Sequence, residues 1–157
     1  RVIMLKERDR ELFFRNRQDF WDKRLLKIRP VEMIFEFPGQ EEEKVVSFSK
    51  GERFKANLEN SNQEVSHQAF SELVNFLQQD ADFVSLSSDE DYALSDYTAY
   101  RELFYIRVGE RRYQVVETTT ELIVHRYGPE GTQDLRYHYL TGGKTPFGAT
   151  WKDYGID

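Results

Sequence analysis

The stretch VEMIFEFPGQEEEKVVSFSKGERFKANLENSNQEVSHQAFSELVNFL, residues 31–77, decides the fold class. Val31, Met33, Phe35 and Phe37 alternate with Glu32, Ile34 and Glu36, the period of a strand with one buried face. Pro38-Gly39 stops that run. Val46 and Phe48 resume the alternation, Lys50-Gly51-Glu52 turns the chain, and Phe54, Ala56 and Leu58 form a third run. Three runs with short joins imply an antiparallel meander. Ser61-Asn62-Gln63-Glu64 has the form of a capping box, and Ser66 competes with it as the N-cap. Phe70, Leu73, Val74 and Leu77 then follow at helical spacing. A helix this short is marginal alone in water, so its apolar stripe requires a partner. The apolar face of the meander is the nearest one, and residues 31–77 therefore read as a β-β-β-α unit.

Size and composition set wider limits. The chain has 157 residues, which suits one domain with a proper core. Aromatic residues make up 15% of it, which argues against disorder although 32% is charged. There is no cysteine, which removes disulfides, a thiol nucleophile and cysteine-ligated metal. No apolar run approaches the roughly 18–20 residues that span a bilayer. The net charge is −6, unevenly spread: residues 1–30 carry ten Lys/Arg against five Asp/Glu. A chain acidic elsewhere is a poor general binder of nucleic acid.

Outside the central unit, residues 9–28 combine charge with Phe13, Phe14, Phe20, Trp21 and Leu25 at spacings that suit helix faces. Pro30 forces the chain out of helical geometry. Residues 80–100 hold six acidic residues and no Lys or Arg, with Ser87-Ser88-Asp89-Glu90-Asp91 the most polar part. They read as a solvated connecting loop whose start is tethered by Phe83, Val84 and Leu86. The glycine-containing spacing of a calcium loop is missing. Runs at 103–108, 112–116, 121–127 and 135–140, divided by Gly109-Glu110 and Gly128-Pro129-Glu130-Gly131, predict four more antiparallel strands. If Gly128 faces Gly131, Val124 opposes Leu135, Leu122 opposes Tyr137, His125 opposes Asp134 and Glu121 opposes His138; a bulge at Gly131 would move this register. Gly142-Gly143-Lys144-Thr145 is no phosphate loop, because Pro146 prevents the helix that must follow. Trp151 and Tyr154 are expected to pack on the sheet edge.

Little in the sequence carries chemistry. His67 falls in the first turn of the helix and should face solvent. His125 and His138 could share a strand face with Asp134 and Glu121, a His/carboxylate patch suited to metal binding or acid/base work, although cross-strand polar pairs of this kind are commonly structural. No nucleophile elbow, HExxH motif or dinucleotide fingerprint is present.

The run Asp19-Phe20-Trp21-Asp22-Lys23-Arg24-Leu25-Leu26 resembles the D-F-x-D-K-R-L-L opening of an uncharacterised bacterial domain family. That family is often membrane-tethered and encoded beside gliding-motility-type ABC transporter components. Its apolar strand, glycine hairpin and leucine-rich helix correspond to residues 31–37, Lys50-Gly51-Glu52 with Phe54, and residues 70–77, and Phe83-Val84 to the short exit that follows. The resemblance covers residues 19–84. It departs from the pattern at Phe54, where relatives often have tryptophan, and in the later hairpins. It carries no activity and no catalytic residues, and it implies an envelope-facing interaction or ligand-recognition domain on an N-terminal anchor upstream of Arg1.

The sequence thus predicts one α+β domain over 1–157, mainly antiparallel sheet with one or two packed helices. Its parts are a basic, aromatic segment (1–30), the β-β-β-α unit (31–79), an acidic connecting loop (80–100), and an antiparallel meander with a tail (101–157). The expected function is a non-catalytic binding or scaffold module of a bacterial envelope protein in a transporter-type complex, with a protein partner, no cofactor and no nucleic acid. Membrane contact would come only through a segment outside this chain, and a periplasmic or extracytoplasmic position is favoured over the cytoplasm. The expected contact residues are Phe20, Trp21 and Arg24 on the basic side and Asp89, Glu90 and Asp91 on the acidic side. Two rivals are an acidic inhibitor of a basic enzyme site, using residues 80–96, and a metal-dependent hydrolase using His125 and His138.

Overall fold

A computed structural model describes residues 22–90, 97 and 99–156. Eight strands form one sheet in the order β3-β2-β1-β5-β6-β7-β8-β4, with every neighbouring pair antiparallel. They are β1 (Glu32–Glu36), β2 (Lys44–Phe48), β3 (Ala56–Leu58), β4 (Phe83–Leu86), β5 (Tyr100–Val108), β6 (Arg111–Thr118), β7 (Leu122–Tyr127) and β8 (Gln133–Tyr139). Among the described residues one α-helix, α1 (His67–Leu77), connects β3 at one edge to β4 at the other. The fold is α+β and mainly antiparallel. Among the described residues no helix is long and apolar enough to cross a membrane.

The core forms where the two sequence periods meet. Met33, Phe35 and Phe37 on β1 and Val46 and Phe48 on β2 are buried, as are Phe70, Leu73, Val74 and Leu77 of α1. Burying each large helix side chain contributes about 1.5–3 kcal/mol before entropy is subtracted. Phe35 is the hub, with its ring 5.7 Å from Phe70, 5.7 Å from Trp151 and 6.1 Å from Phe104. The tail does not lie on the sheet edge as expected. The 3₁₀ turn Trp151–Tyr154 is buried in the core, with Trp151 4.0 Å from Phe37 and Tyr154 4.6 Å from Phe70. A glycine-first two-residue loop joins β5 to β6, and Gly109 adopts the positive φ of 60° that this type II′ arrangement requires.

Five further expectations need correction. Residues 83–86 are not the tether of a loop but β4, paired along β8 from Phe83↔His138 to Leu86↔Leu135. The helical reading of 9–28 fails over its described part. Residues 22–26 are irregular to extended, with Arg24 bridged to Asp80, the Ala81 amide donating to the Lys23 carbonyl and the Leu26 amide donating to the Leu77 carbonyl. Adjacent Leu25 and Leu26 are both buried while the backbone beside them pairs with residues 77–81, without a helix. The rest of that helix lies outside the described residues. Ser66, not Ser61, caps α1: its hydroxyl accepts from the Ala69 amide at 3.2 Å, while the Ser61 hydroxyl accepts from Gln63 in a local turn. The third run narrows to Ala56–Leu58, and Phe54 lies before it, 5.3 Å from Phe48 and under the Arg29 guanidinium. The β7–β8 register is two residues from the expected one, with Val124↔Tyr137, Leu122↔Tyr139 and His125↔Arg136. The Gly128 amide donates to the Thr132 carbonyl and a bulge follows Arg126, so the loop is longer than the four-residue turn suggested. A two-residue shift keeps residues 122–125 and 135–139 on their expected faces, whereas Asp134, beside the bulge, bonds Arg126 on the opposite side.

Candidate functional sites

The face of the sheet turned away from α1 carries a buried polar cluster. Strand alternation places Ile123 and His125 of β7, Arg136 and His138 of β8, and Phe83 and Ser85 of β4 on it. His138 is 0% exposed and Ser85 1%. The Glu121 carboxylate, set by the tight Thr118–Glu121 turn, lies 3.1 Å from His138 Nδ1, and Ser85 Oγ lies 2.7 Å from Nε2. Burial lowers the His138 pKa against the opposing pull of Glu121. A neutral ring then donates from Nδ1 to Glu121 and accepts the Ser85 hydroxyl at Nε2. The Tyr97 hydroxyl also donates to Glu121, and the Phe83 ring lies parallel to the imidazole at 4.2 Å.

The Ser-His-Glu order is that of a hydrolytic relay. Here it is a closed chain, because the serine and histidine are both enclosed and a phenyl ring covers the imidazole. Beside it the Arg136 guanidinium donates to the carbonyls of Ser87 and Asp89, fixing the turn after β4. His125 is 2% exposed, and among the described residues neither ring nitrogen has a hydrogen-bond partner. Burial, with smaller contributions from Arg136 and His138, lowers its pKa to about 4.

A second site lies on the opposite, core-side face, where residues 22–27 run past the ends of β6, β7 and β8. A groove of about 480 Å³ is lined there by Arg24, Lys27, Arg111 and Arg126, by Asp22, and by Leu25, Tyr113, Leu135 and Tyr137. Four cations against one carboxylate is a local reversal of the chain's −6. Lys27 pairs with Asp22 at 3.3 Å, and Arg24 lies 3.8 Å from both Asp22 and Asp80. Arg126 holds Asp134 through two bonds of 2.8 and 2.9 Å. Arg111 makes no ion pair, and the phenols of Tyr113 and Tyr137 make no hydrogen bond, among the described residues. Burial pushes the Tyr113 pKa up to about 12 and raises that of Tyr137, so both remain neutral donors at physiological pH.

No family model, curated protein or solved structure matches this chain.

The residues singled out in the sequence distribute unevenly over the two sites. Arg24 lines the groove. Asp89 is partly buried with its carbonyl bound to Arg136, and Glu90 is exposed. Phe20, Trp21 and Asp91 lie outside the described residues. His125 and His138 do share a face, and the expected approach of Glu121 to His138 is present, although Ile123 is the residue opposite His138. Asp134 does not join them, because Arg126 takes both its oxygens. Among the described residues no three His, Asp or Glu side chains are grouped as a metal site. His67 does not face solvent freely: its Nδ1 accepts from the Ala56 amide at 3.0 Å. Sequence reasoning missed Ser85 and Arg136. The alternation Phe83-Val84-Ser85-Leu86 was the available signal, since a strand there puts Ser85 beside a histidine-bearing partner.

Proposed function

We propose that this chain is a non-catalytic binding module, the extracytoplasmic part of a bacterial envelope protein that serves a transporter-type complex. It engages a protein partner through the cationic groove at Arg24. The observation that carries this reading is the convergence of Arg24, Lys27, Arg111 and Arg126 in one groove of an otherwise acidic chain. The resemblance over residues 19–84 supports the envelope and transporter context. Opposite charge at such a surface steers encounter and selects partners. Co-expression with the gliding-motility-type ABC transporter components that the resemblance implies, followed by purification on this chain, tests the proposal. The wild type should retain a component that the triple variant Arg24→Glu, Lys27→Glu, Arg111→Glu loses. Equal retention by both, or retention by neither, contradicts it.

A hydrolase reading draws on one specific observation, the Ser85–His138–Glu121 order. Labelling of Ser85 by a fluorophosphonate, lost in His138→Ala, would support it. No labelling would remove it.

A further inference from the structure

We propose that the groove recognises carboxylate side chains in an acidic peptide segment of the partner, with Arg111, Tyr113 and Tyr137 as the donors that hold them. This rests on the binding-module reading and names the chemistry of its ligand.

Strand geometry brings the donors together. Arg111 and Tyr113 are two apart on β6 and so share a face, Arg126 lies directly opposite Tyr113, and Tyr137 stands one row further on across β8. Arg126 is oriented by Asp134 through Nε and Nη2, which leaves Nη1 unused by that pair. Buried rings anchor both phenols, so their hydroxyls need little further ordering to bind a ligand. Among the described residues, the Arg111 guanidinium, which can only donate, has no ion pair, and the two phenols each hold an O–H with no acceptor. An acceptor oxygen is the group they lack.

The surroundings separate a carboxylate from a phosphate. Asp22 lines the groove, Asp134 adjoins it, and the chain carries −6 overall. These charges weigh more heavily on a doubly charged phosphate than on a carboxylate, which brings one charge to each seat and needs one cation there. Arg24 and Lys27 are exposed at the rim, so a peptide with spaced acidic residues could meet them after one carboxylate is seated.

Fluorescence anisotropy on the whole chain, with a labelled glutamate-rich peptide, its glutamine counterpart and inorganic phosphate as competitor, tests the inference. The glutamate peptide should bind and the glutamine peptide should not. Arg111→Ala should weaken binding about tenfold or more, and Tyr113→Phe and Tyr137→Phe each about threefold. Arg111→Lys keeps the charge without the planar fork and should recover part of the loss. Thermal melts matching wild type exclude misfolding as the cause, and Tyr137→Phe, which removes one oxygen, is the variant least able to disturb the fold. Equal binding of the two peptides, no effect of these variants, or displacement by phosphate at concentrations below those of the peptide would overturn the inference. If a transporter component still co-purifies in a groove-dependent way while the glutamate peptide fails to bind, the carboxylate chemistry is wrong and the module reading stands. Peptide binding without any co-purifying component gives the reverse.

Discussion

The two faces of the sheet solve burial by different means. Under α1 the buried groups are Phe35, Phe70, Leu73, Phe104 and Trp151, whose packing carries little directional demand. On the other face Ser85, Glu121, His125, Arg136 and His138 are just as enclosed, so each needs a partner of the right kind in the right place. Among the described residues four of the five have one and His125 does not. The first face should therefore be sensitive to lost volume, and the second to lost acceptors and to protons.

The largest effect should come from the apolar face. Phe35→Ala removes the hub of the aromatic cluster and should cost about 3–5 kcal/mol in urea unfolding at neutral pH. A loss below about 1 kcal/mol would mean that the ring does not organise the core.

Acid is the next perturbation, and it acts on the polar face. In the unfolded chain a histidine binds its proton near pH 6.5, whereas buried His125 does so only near pH 4. Between these values the unfolded state holds more protons, so stability is fully present above about 6.5 and is lost as pH falls toward 4. The loss from this residue is about 3 kcal/mol, to which His138, shifted in the same direction, adds. Unfolding measured at pH 7 and pH 4.5 should show that slope in the wild type and a reduced slope in His125→Leu. An unchanged slope would place the acid sensitivity elsewhere.

Removing an acceptor should have a smaller effect. Glu121→Ala leaves His138 Nδ1 and the Tyr97 hydroxyl without this acceptor and should cost about 2 kcal/mol by thermal unfolding. A cost near zero would mean that the chain Ser85–His138–Glu121 contributes nothing to the fold. Loss of the helix cap in Ser66→Ala should cost about 1 kcal/mol, the smallest of the four and confined to the apolar side of the comparison.

The same contrast explains what the sequence made legible. Met33, Phe35 and Phe37, and Phe70, Leu73 and Leu77, declare their faces by period alone, so the unit at 31–77 could be read before any coordinates. β4 was harder to read, because its alternation runs over only four residues between acidic neighbours, too short to stand out from a loop. The N-terminal segment misled for another reason: helical spacing of Trp21 and Leu25 is only a local signal, and over residues 22–26 the backbone pairs with residues 77–81 instead. Arg24 stood out through local charge and aromatic composition. The groove it lines was hidden, since Arg111, Tyr113, Arg126 and Tyr137 come from three strands and meet only through a register that a bulge displaces by two residues. The histidine face was half legible, because parity survives such a shift while the identity of the opposing residue does not.

The central claim is that this chain works through its cationic groove and that its buried histidine face serves the fold. Heteronuclear NMR during titration with the glutamate-rich peptide tests it most directly, since both regions are observed in one experiment. The account predicts saturable shifts at Arg111, Tyr113, Arg126 and Tyr137, with His125, His138 and Ser85 unmoved. Shifts concentrated at Ser85, His125 and His138, with the groove silent, would contradict it.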